Sequence, residues 1–404
     1  MDFTPLKVSA DFRRLFVGQA ISEFGTQITF VAVPFQVYFL TRSTAMVGLL
    51  ALFEVIPLIV LPIVGGTIAD ALERRRMLMV AHALTAVLSI ALAVNAFLPE
   101  PRLWILFAFS FLSASAYSLY SPALRAWPAR LLTPDLYTSA LALEVVYYQS
   151  AALTGPVLAG VLITVDVGYA YALDAVSYLA VIVALAGMRP SPPTADHLSV
   201  GWSAITEGLR FLRGKQVLQG TFWIDLNAMI FGLPVALYPA FVLDILHASP
   251  AVLGLFYSAE ALGALLVALF SGRAKHVRRQ GLVTIVACMC WGAGIVGFGF
   301  AGTLWLGLLF LMLASASDMV SGLYRDAILK TVTPDEMRGR LEGISLSVVG
   351  TGPSLGNAEA GFLASLTTVR TSIVSGGIAC IIGAGVLAIL LPRYRRYDAS
   401  NPSR

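Results

Sequence analysis

Five carboxylates sit where so apolar a chain should carry none. Of 404 residues, 58% are hydrophobic and 12% charged, yet Glu23, Glu54, Asp225, Glu260 and Asp318 each fall well inside a long apolar run. An ionisable group at that depth costs about 2.5–3.5 kcal/mol on insertion scales, which makes each a functional candidate. The chemistry open to a carboxyl group in hydrocarbon is protonation. Low dielectric favours its neutral form, and a change of charge there can tip one packing arrangement against another. These five are the candidate proton-coupling residues. Asp174 and Glu359 are expected to be structural, as hydrogen-bonding links between helices. No Lys or Arg is read at the same depth, because Arg125 and Arg325 fall at the ends of their runs. Shared protons rather than ion pairs are therefore expected to hold the acids.

The elements that must position these groups are membrane helices. A span needs about 20 apolar residues to cross about 30 Å of hydrocarbon. The chain offers twelve such runs, from 15–40 to 370–391. They are too long for membrane strands of about 10 residues, so helices are expected. With the N-terminus in the cytoplasm, only Arg42, Arg102 and Arg370 of the 27 Lys and Arg fall outside. Basic loops resist translocation, so this asymmetry fixes the orientation and puts both termini in the cytoplasm. The net charge of +4 is scattered over short loops, which argues against nucleic-acid binding. Cys288, Cys290 and Cys380 all lie in spans and read as packing residues, not a disulfide or metal site.

The second half repeats the first at an offset near 200. "SPALRAWPARLLTPDLYTSAL" from Ser121 is echoed by "SGLYRDAILKTVTPDEMRGRL" from Ser321, and "VGLLALFE" (47–54) by "LGLFYSAE" (253–260). Glu23 pairs with Asp225 and Glu54 with Glu260 under this repeat. Six spans per repeat give both halves one orientation, related by an axis along the membrane normal. The expected layout is an N-terminal six-helix bundle (1–188), a cytoplasmic linker with an interfacial helix (189–216), a C-terminal six-helix bundle (217–392) and a cytoplasmic tail (393–404). In the linker, Trp202, Ile205, Leu209 and Leu212 share one helical face, as in a helix lying on the bilayer surface.

Charge concentrates in one turn, "ADALERRRM" (69–77). Asp70 and Arg74 are four apart and can pair along one helical turn. The small residues before them let a neighbouring backbone approach closely.

This turn carries a family resemblance. "GGTIADALERRRML" (65–78) resembles the loop signature of the major facilitator superfamily, with Gly66, Ala69, Asp70, Arg74 and Arg75 matching; Ala71 replaces a usual basic residue and Glu73 a usual Gly. The Glu-Arg-Arg form, "VAVPFQVY" (31–38) and "NAFLPEP" (95–101) resemble the enterobactin-exporter and drug-efflux branch. The resemblance covers the whole chain. It implies an all-α fold of twelve transmembrane helices in two six-helix bundles, and alternating access. It makes Gly66, Asp70, Arg74 and Arg75 a gating loop. The matching turn of the second half, "GRAKHVRRQ" (272–280), has His276 where Asp70 would align, so the latch is expected to be asymmetric. "TGPVLAG" (154–160) resembles the span-five kink of exporters and puts Gly155, Pro156 and Gly160 at a bend; "TGPSLG" (351–356) is its counterpart.

Transport against a gradient needs an energy source. No "GxxxxGK[ST]" occurs and no loop is long enough for a nucleotide-hydrolysing domain, which leaves an ion gradient. Phe24, Tyr148, Trp223 and Tyr257 are candidate cavity aromatics for an amphipathic cargo. Acids without buried bases favour neutral or cationic solutes. The expectation is a proton-coupled exporter of small amphipathic or drug-like molecules in a bacterial cytoplasmic membrane, acting as a monomer with lipid, cargo and protons as its partners. It is expected to need no cofactor or metal. A siderophore or metabolite exporter is the alternative within transport, and a non-transporting receptor or assembly factor the alternative outside it. No Ser, His or Cys arrangement suits nucleophilic catalysis, so an enzyme is not expected.

Overall fold

The computed structural model describes residues 2–71, 73–190, 202–270 and 277–399, with the side chains of 62–71 and 202–205 excepted. Twelve long helices carry the chain: α1 (Ala10–Thr41), α2 (Thr44–Ala71), α3 (Arg74–Ala96), α4 (Leu103–Ala126), α5 (Pro134–Val165), α6 (Val167–Ala186), α7 (Gln216–Phe231), α8 (Ala251–Phe270), α9 (Gln280–Phe300), α10 (Leu304–Val332), α11 (Asp335–Leu366) and α12 (Val369–Leu390). This is the twelve-helix architecture of the major facilitator fold. No strand occurs among the described residues.

Ten helical segments among the described residues qualify as membrane spans by length and apolarity. The other two long helices, α1 and α11, are 32 residues each. They fall short because they are studded with polar groups: Gln19, Ser22, Glu23, Thr26 and Gln27 on α1, and Ser347, Thr351, Ser354, Asn357 and Glu359 on α11. Elsewhere the outward faces are greasy. Val80, Val87 and Val94 line α3 at heptad spacing and are all exposed, a stripe that only a hydrocarbon solvent makes sense of.

The α7 run bends where an unbroken span is expected over 217–243. The helix ends at Gly232, then continues as a 3₁₀ turn (Val235–Leu237), a short α segment (Tyr238–Ala240) and a π turn (Phe241–Ile245). Pro234 and Pro239 cannot donate backbone hydrogen bonds, and no water reaches the freed groups in a bilayer. Side chains satisfy them instead. Asn357 Oδ1 accepts from the Ala236 amide at 2.9 Å, and Trp291 Nε1 donates to the Gly232 carbonyl at 2.9 Å.

The helices gather into two compact units. Unit 1 contains Met1–Leu40, Ile56–Ser199 and Ser249–Ser258. Its core packs Leu15, Leu78, Trp127, Tyr178, Val181 and Leu185. Unit 2 contains Thr41–Val55, Val200–Ala248 and Ala259–Arg404, with Leu218, Leu329, Leu341 and Ile344 at a core contact. The helix Trp202–Leu212 is fastened to α11 by Glu207 and Arg340, 3.0 Å apart. Within unit 2 the short helix Pro392–Arg395 is anchored by Tyr394, whose hydroxyl lies 2.6 Å from Thr284 Oγ1.

Candidate functional site

On unit 2, α10 presents Asp318, Ser321 and Arg325 along one face, at spacings set by the helical repeat. Arg325 Nη2 lies 2.7 Å from Asp225 Oδ1 on α7, and Nη1 lies 3.6 Å from Asp318 Oδ1. Nη1 also donates to Ser321 Oγ at 2.9 Å. The Arg325 and Asp225 side chains are 12% and 10% exposed. This corrects the expectation that the acids have no cation within reach. The helix runs on to Val332, so Arg325 sits about two turns inside its end, and its long stem reaches back towards Asp318. Behind Asp225, Asn227 Nδ2 donates to the Cys380 carbonyl at 2.9 Å, and the Cys288 and Cys380 sulfurs stand 3.7 Å apart. α7 is thereby held to α9 and α12. Asn227 needs that partner, since a buried amide left unpaired is costly.

The other candidate acids have neutral partners. Tyr238 donates to Glu260. Ser354 Oγ on α11 lies 3.5 Å from Glu54 on α2. On unit 1, Gln27 Nε2 donates to Glu23 at 2.9 Å, so the repeat-equivalent of Asp225 takes an amide where Asp225 takes a guanidinium. Asp174 is fully buried and accepts from Thr29 Oγ1 and Ser89 Oγ, both at 2.8 Å. Asp225 and Asp318 thus share Arg325, Glu260 lies within electrostatic range of Asp318, and Glu23 and Glu54 each have a neutral hydrogen-bonding neighbour.

Sequence reasoning missed Arg325 as the partner of two acids and missed Glu144 altogether. Glu144 is half-buried on α5, within electrostatic range of Arg125. The signal for Arg325 was its seven-residue spacing from Asp318. For Glu144 it was an acid in the otherwise apolar and aromatic "ALEVVYY" stretch.

In the gating loop, Gly66 and Asp70 lie outside the residues whose side chains are described, as does His276. Of the others, Arg75 donates to the Met188 carbonyl at the end of α6, beside Gly187, whose carbonyl accepts from Arg14. Arg76 pairs with Glu73 at 2.9 Å. A cation over the C-terminal carbonyls of a helix is favoured by its dipole. Among the kink residues, Gly155 faces Gln27, and a side chain at Gly160 would stand 2.7 Å from the Ala251 carbonyl. Gly254 of α8 meets the Pro156 carbonyl with no room for a Cβ. Of the aromatics, Tyr148 and Trp223 are exposed, Phe24 is half-buried, and Tyr257 is buried edge-on to Phe30 at 5.7 Å. Among the described residues, no three His, Cys, Asp or Glu side chains gather as a metal-binding group.

The twelve long helices among the described residues, with charges paired inside unit 2, are the framework of a membrane transporter of the major facilitator superfamily. The family model described as transmembrane secretion effector matches residues 1–404, and the chain belongs to that family. It is 29% identical over 403 residues to the enterobactin exporter EntS of Citrobacter koseri, covering all of this chain and 97% of that protein. Identity and coverage are the same with EntS of Shigella flexneri. In three dimensions it resembles a bacterial homolog of the human lysosomal transporter Spinster in an inward-facing, occupied conformation. That match has a TM-score of 0.76 at 12% identity and covers 96% of this chain and 98% of the other. The nucleoside transporter NupG matches with a TM-score of 0.69 at 14% identity, covering 95% of this chain and 98% of NupG. These likenesses show the fold. The family is one of transporters, not enzymes.

Proposed function

We propose that this chain exports a small amphipathic molecule across a bacterial cytoplasmic membrane in exchange for protons, by alternating access and as a monomer with both termini in the cytoplasm. The observation that carries the coupling is Arg325 held between Asp225 and Asp318. The buried Arg325–Asp225 pair, with the more open Asp318 beside it, gives a static scaffold little, because desolvation offsets most of what the pair's attraction returns. They suit a switch. A proton taken up at Asp225 cancels the charge that Arg325 faces and leaves the guanidinium to Asp318 alone, which reweights the contact between α7 and α10. Cargo binding that favours one weighting and proton binding that favours the other are then linked as coupled equilibria.

Two cargo classes fit. A drug-like solute suits the exposed aromatics and carboxylates of the spans. A siderophore is favoured by full-length similarity to proteins named enterobactin exporters. The test is flux from proteoliposomes under an imposed pH gradient, with a siderophore and a lipophilic dye as separate cargoes. Movement of either cargo that follows the gradient supports the reading. Flux indifferent to the gradient sinks the coupling, and no flux with a broad cargo panel favours a receptor or assembly role.

A further inference from the structure

One end of unit 2 carries a basic patch that neither coupling nor cargo uses. α12 ends at Leu390, and the chain turns into the short helix Pro392–Arg395. This tail is built into the unit. Tyr394 and Tyr397 turn inwards and are buried, whereas Arg393 and Arg396 are exposed and Arg395 is half-buried. Gly220 of α7 and Gly281 of α9 meet Tyr394 with no room for a Cβ. The Arg393 amide donates to Gln216 Oε1 at 3.3 Å, and the Ala399 amide to the Arg278 carbonyl at 2.9 Å. The tail is thereby pinned across the starts of α7 and α9. Lys215 immediately precedes α7 and Arg279 immediately precedes α9, with Arg278 next to it, and all three are exposed.

Six cations from three chain segments therefore meet at one end of the unit, against the single acid of the tail, Asp398. Among the described residues none of the six joins an ion pair; Lys215 Nζ stands 3.1 Å from the Phe211 ring centroid. Orientation accounts for basic residues near the ends of spans. It does not account for a tail folded back to add three more, nor for cations at the starts of α7 and α9, where the helix dipole disfavours them. An anion facing the patch relieves both. Spans begin at Gln216 and Gln280 and end at Leu390, so the patch lies where hydrocarbon gives way to headgroups. Juxtamembrane clusters of Lys and Arg attract anionic lipid, and arginine binds phosphate through paired hydrogen bonds. Acyl chains have exposed apolar side chains to follow beside the patch, Leu282 and Val286 on α9 and Ile389 and Leu390 on α12. We propose that the Pro392–Arg395 tail, with Lys215, Arg278 and Arg279, binds the headgroup of an anionic phospholipid. The site goes beyond the export reading and depends on neither its cargo nor its protons.

The test counts lipids bound to the full-length, delipidated protein in detergent by native mass spectrometry. The probes are phosphatidylglycerol, phosphatidylcholine with the same acyl chains, and glycerophosphate, which has the phosphate and no chains. Phosphatidylglycerol binds, the other two bind far more weakly, and added salt weakens the binding, because exposed charges are screened. The combined variant Arg393→Gln, Arg395→Gln and Arg396→Gln weakens phosphatidylglycerol by about tenfold or more. The same three positions changed to Lys keep the charge and hold affinity within a few-fold of wild type. A matched variant elsewhere, Lys7→Gln, Arg130→Gln and Arg338→Gln, removes as much charge and leaves binding near wild type. Should the glutamine tail variant not fold, Arg393→Gln and Arg396→Gln taken singly carry the same comparison at two exposed positions. Equal loss in the matched variant overturns the proposal, since the attraction would then belong to the net charge of the protein. Equal affinity for phosphatidylcholine overturns it as well. Glycerophosphate that binds as tightly as the lipid makes the patch a site for free anions and overturns the lipid assignment.

Discussion

Arg325 Nη2 lies 2.7 Å from Asp225 Oδ1, joining α10 to α7 inside unit 2. Removing one partner of a buried pair costs about 3–5 kcal/mol, whereas replacing both by apolar groups is often neutral. Arg325→Leu should therefore lower the unfolding midpoint more than Asp225→Asn does, since it leaves Asp225 and Asp318 with no cation. The double variant Asp225→Asn with Arg325→Leu should regain most of the lost midpoint and none of the flux. Thermal unfolding in detergent and proteoliposome flux read the two quantities separately. A double variant that transports at the wild-type rate would make the pair structural only.

Under the proposed coupling the same pair should set the pH response. Export should then rise as the pH on the outer side falls below that inside, with Asp225 loaded from outside and emptied inside. Asp225→Asn removes the acid that faces Arg325 Nη2 and leaves only Asp318 beside the guanidinium, so residual facilitated flux should lose most of its dependence on the gradient. Counterflow of labelled cargo with no gradient should survive in this variant, since exchange needs reorientation with cargo and not with a proton. Flux of Asp225→Asn that still follows the gradient would move the coupling to another acid.

Much of this architecture could be read from residue types, and the failures have physical causes. Hydropathy located the runs because bilayer thickness imposes their length. It was blind to the break after Phe231, since Gly232 and the two prolines interrupt hydrogen bonding without interrupting apolarity. It also set Arg325 at a boundary, where a guanidinium looks affordable to solvent, although the helix continues to Val332. Pairing is a three-dimensional fact. Asp225 and Glu23 are equivalent under the repeat, yet one meets Arg325 and the other Gln27. The depth of an acid is legible in one dimension, and its partner is not.

Arg75 and Arg14 donate to the Met188 and Gly187 carbonyls just past the end of α6. Charge at a helix C-terminus contributes about 0.3–1 kcal/mol when exposed, and a charged hydrogen bond about 1.5–3 kcal/mol. Arg75→Gln should therefore shift the unfolding midpoint by a few degrees while lowering flux in proportion to folded protein. If Arg75→Gln abolishes flux at an unchanged midpoint, the residue acts on gating, as the loop resemblance implies. Asp70→Asn, in the same loop, is expected to impair transport with folding and cargo affinity largely intact.

Asp174 offers the sharpest separation of structure from coupling. Oδ2 accepts both Thr29 Oγ1 and Ser89 Oγ, linking α6 to α1 and α3. Asp174→Ala orphans two buried hydroxyls, at about 1–3 kcal/mol for each unmet group. It should cut the yield of folded protein and lower the unfolding midpoint by well over the shift of any surface variant. Asp174→Asn keeps an acceptor oxygen for both hydroxyls and removes only the ability to ionise, so its midpoint should stay within about 1 kcal/mol of wild type. Flux per folded molecule in Asp174→Asn should then match wild type and keep its pH dependence. A well-folded Asp174→Asn that carries no flux would place the working proton on unit 1 and remove Asp225 from the centre of the mechanism.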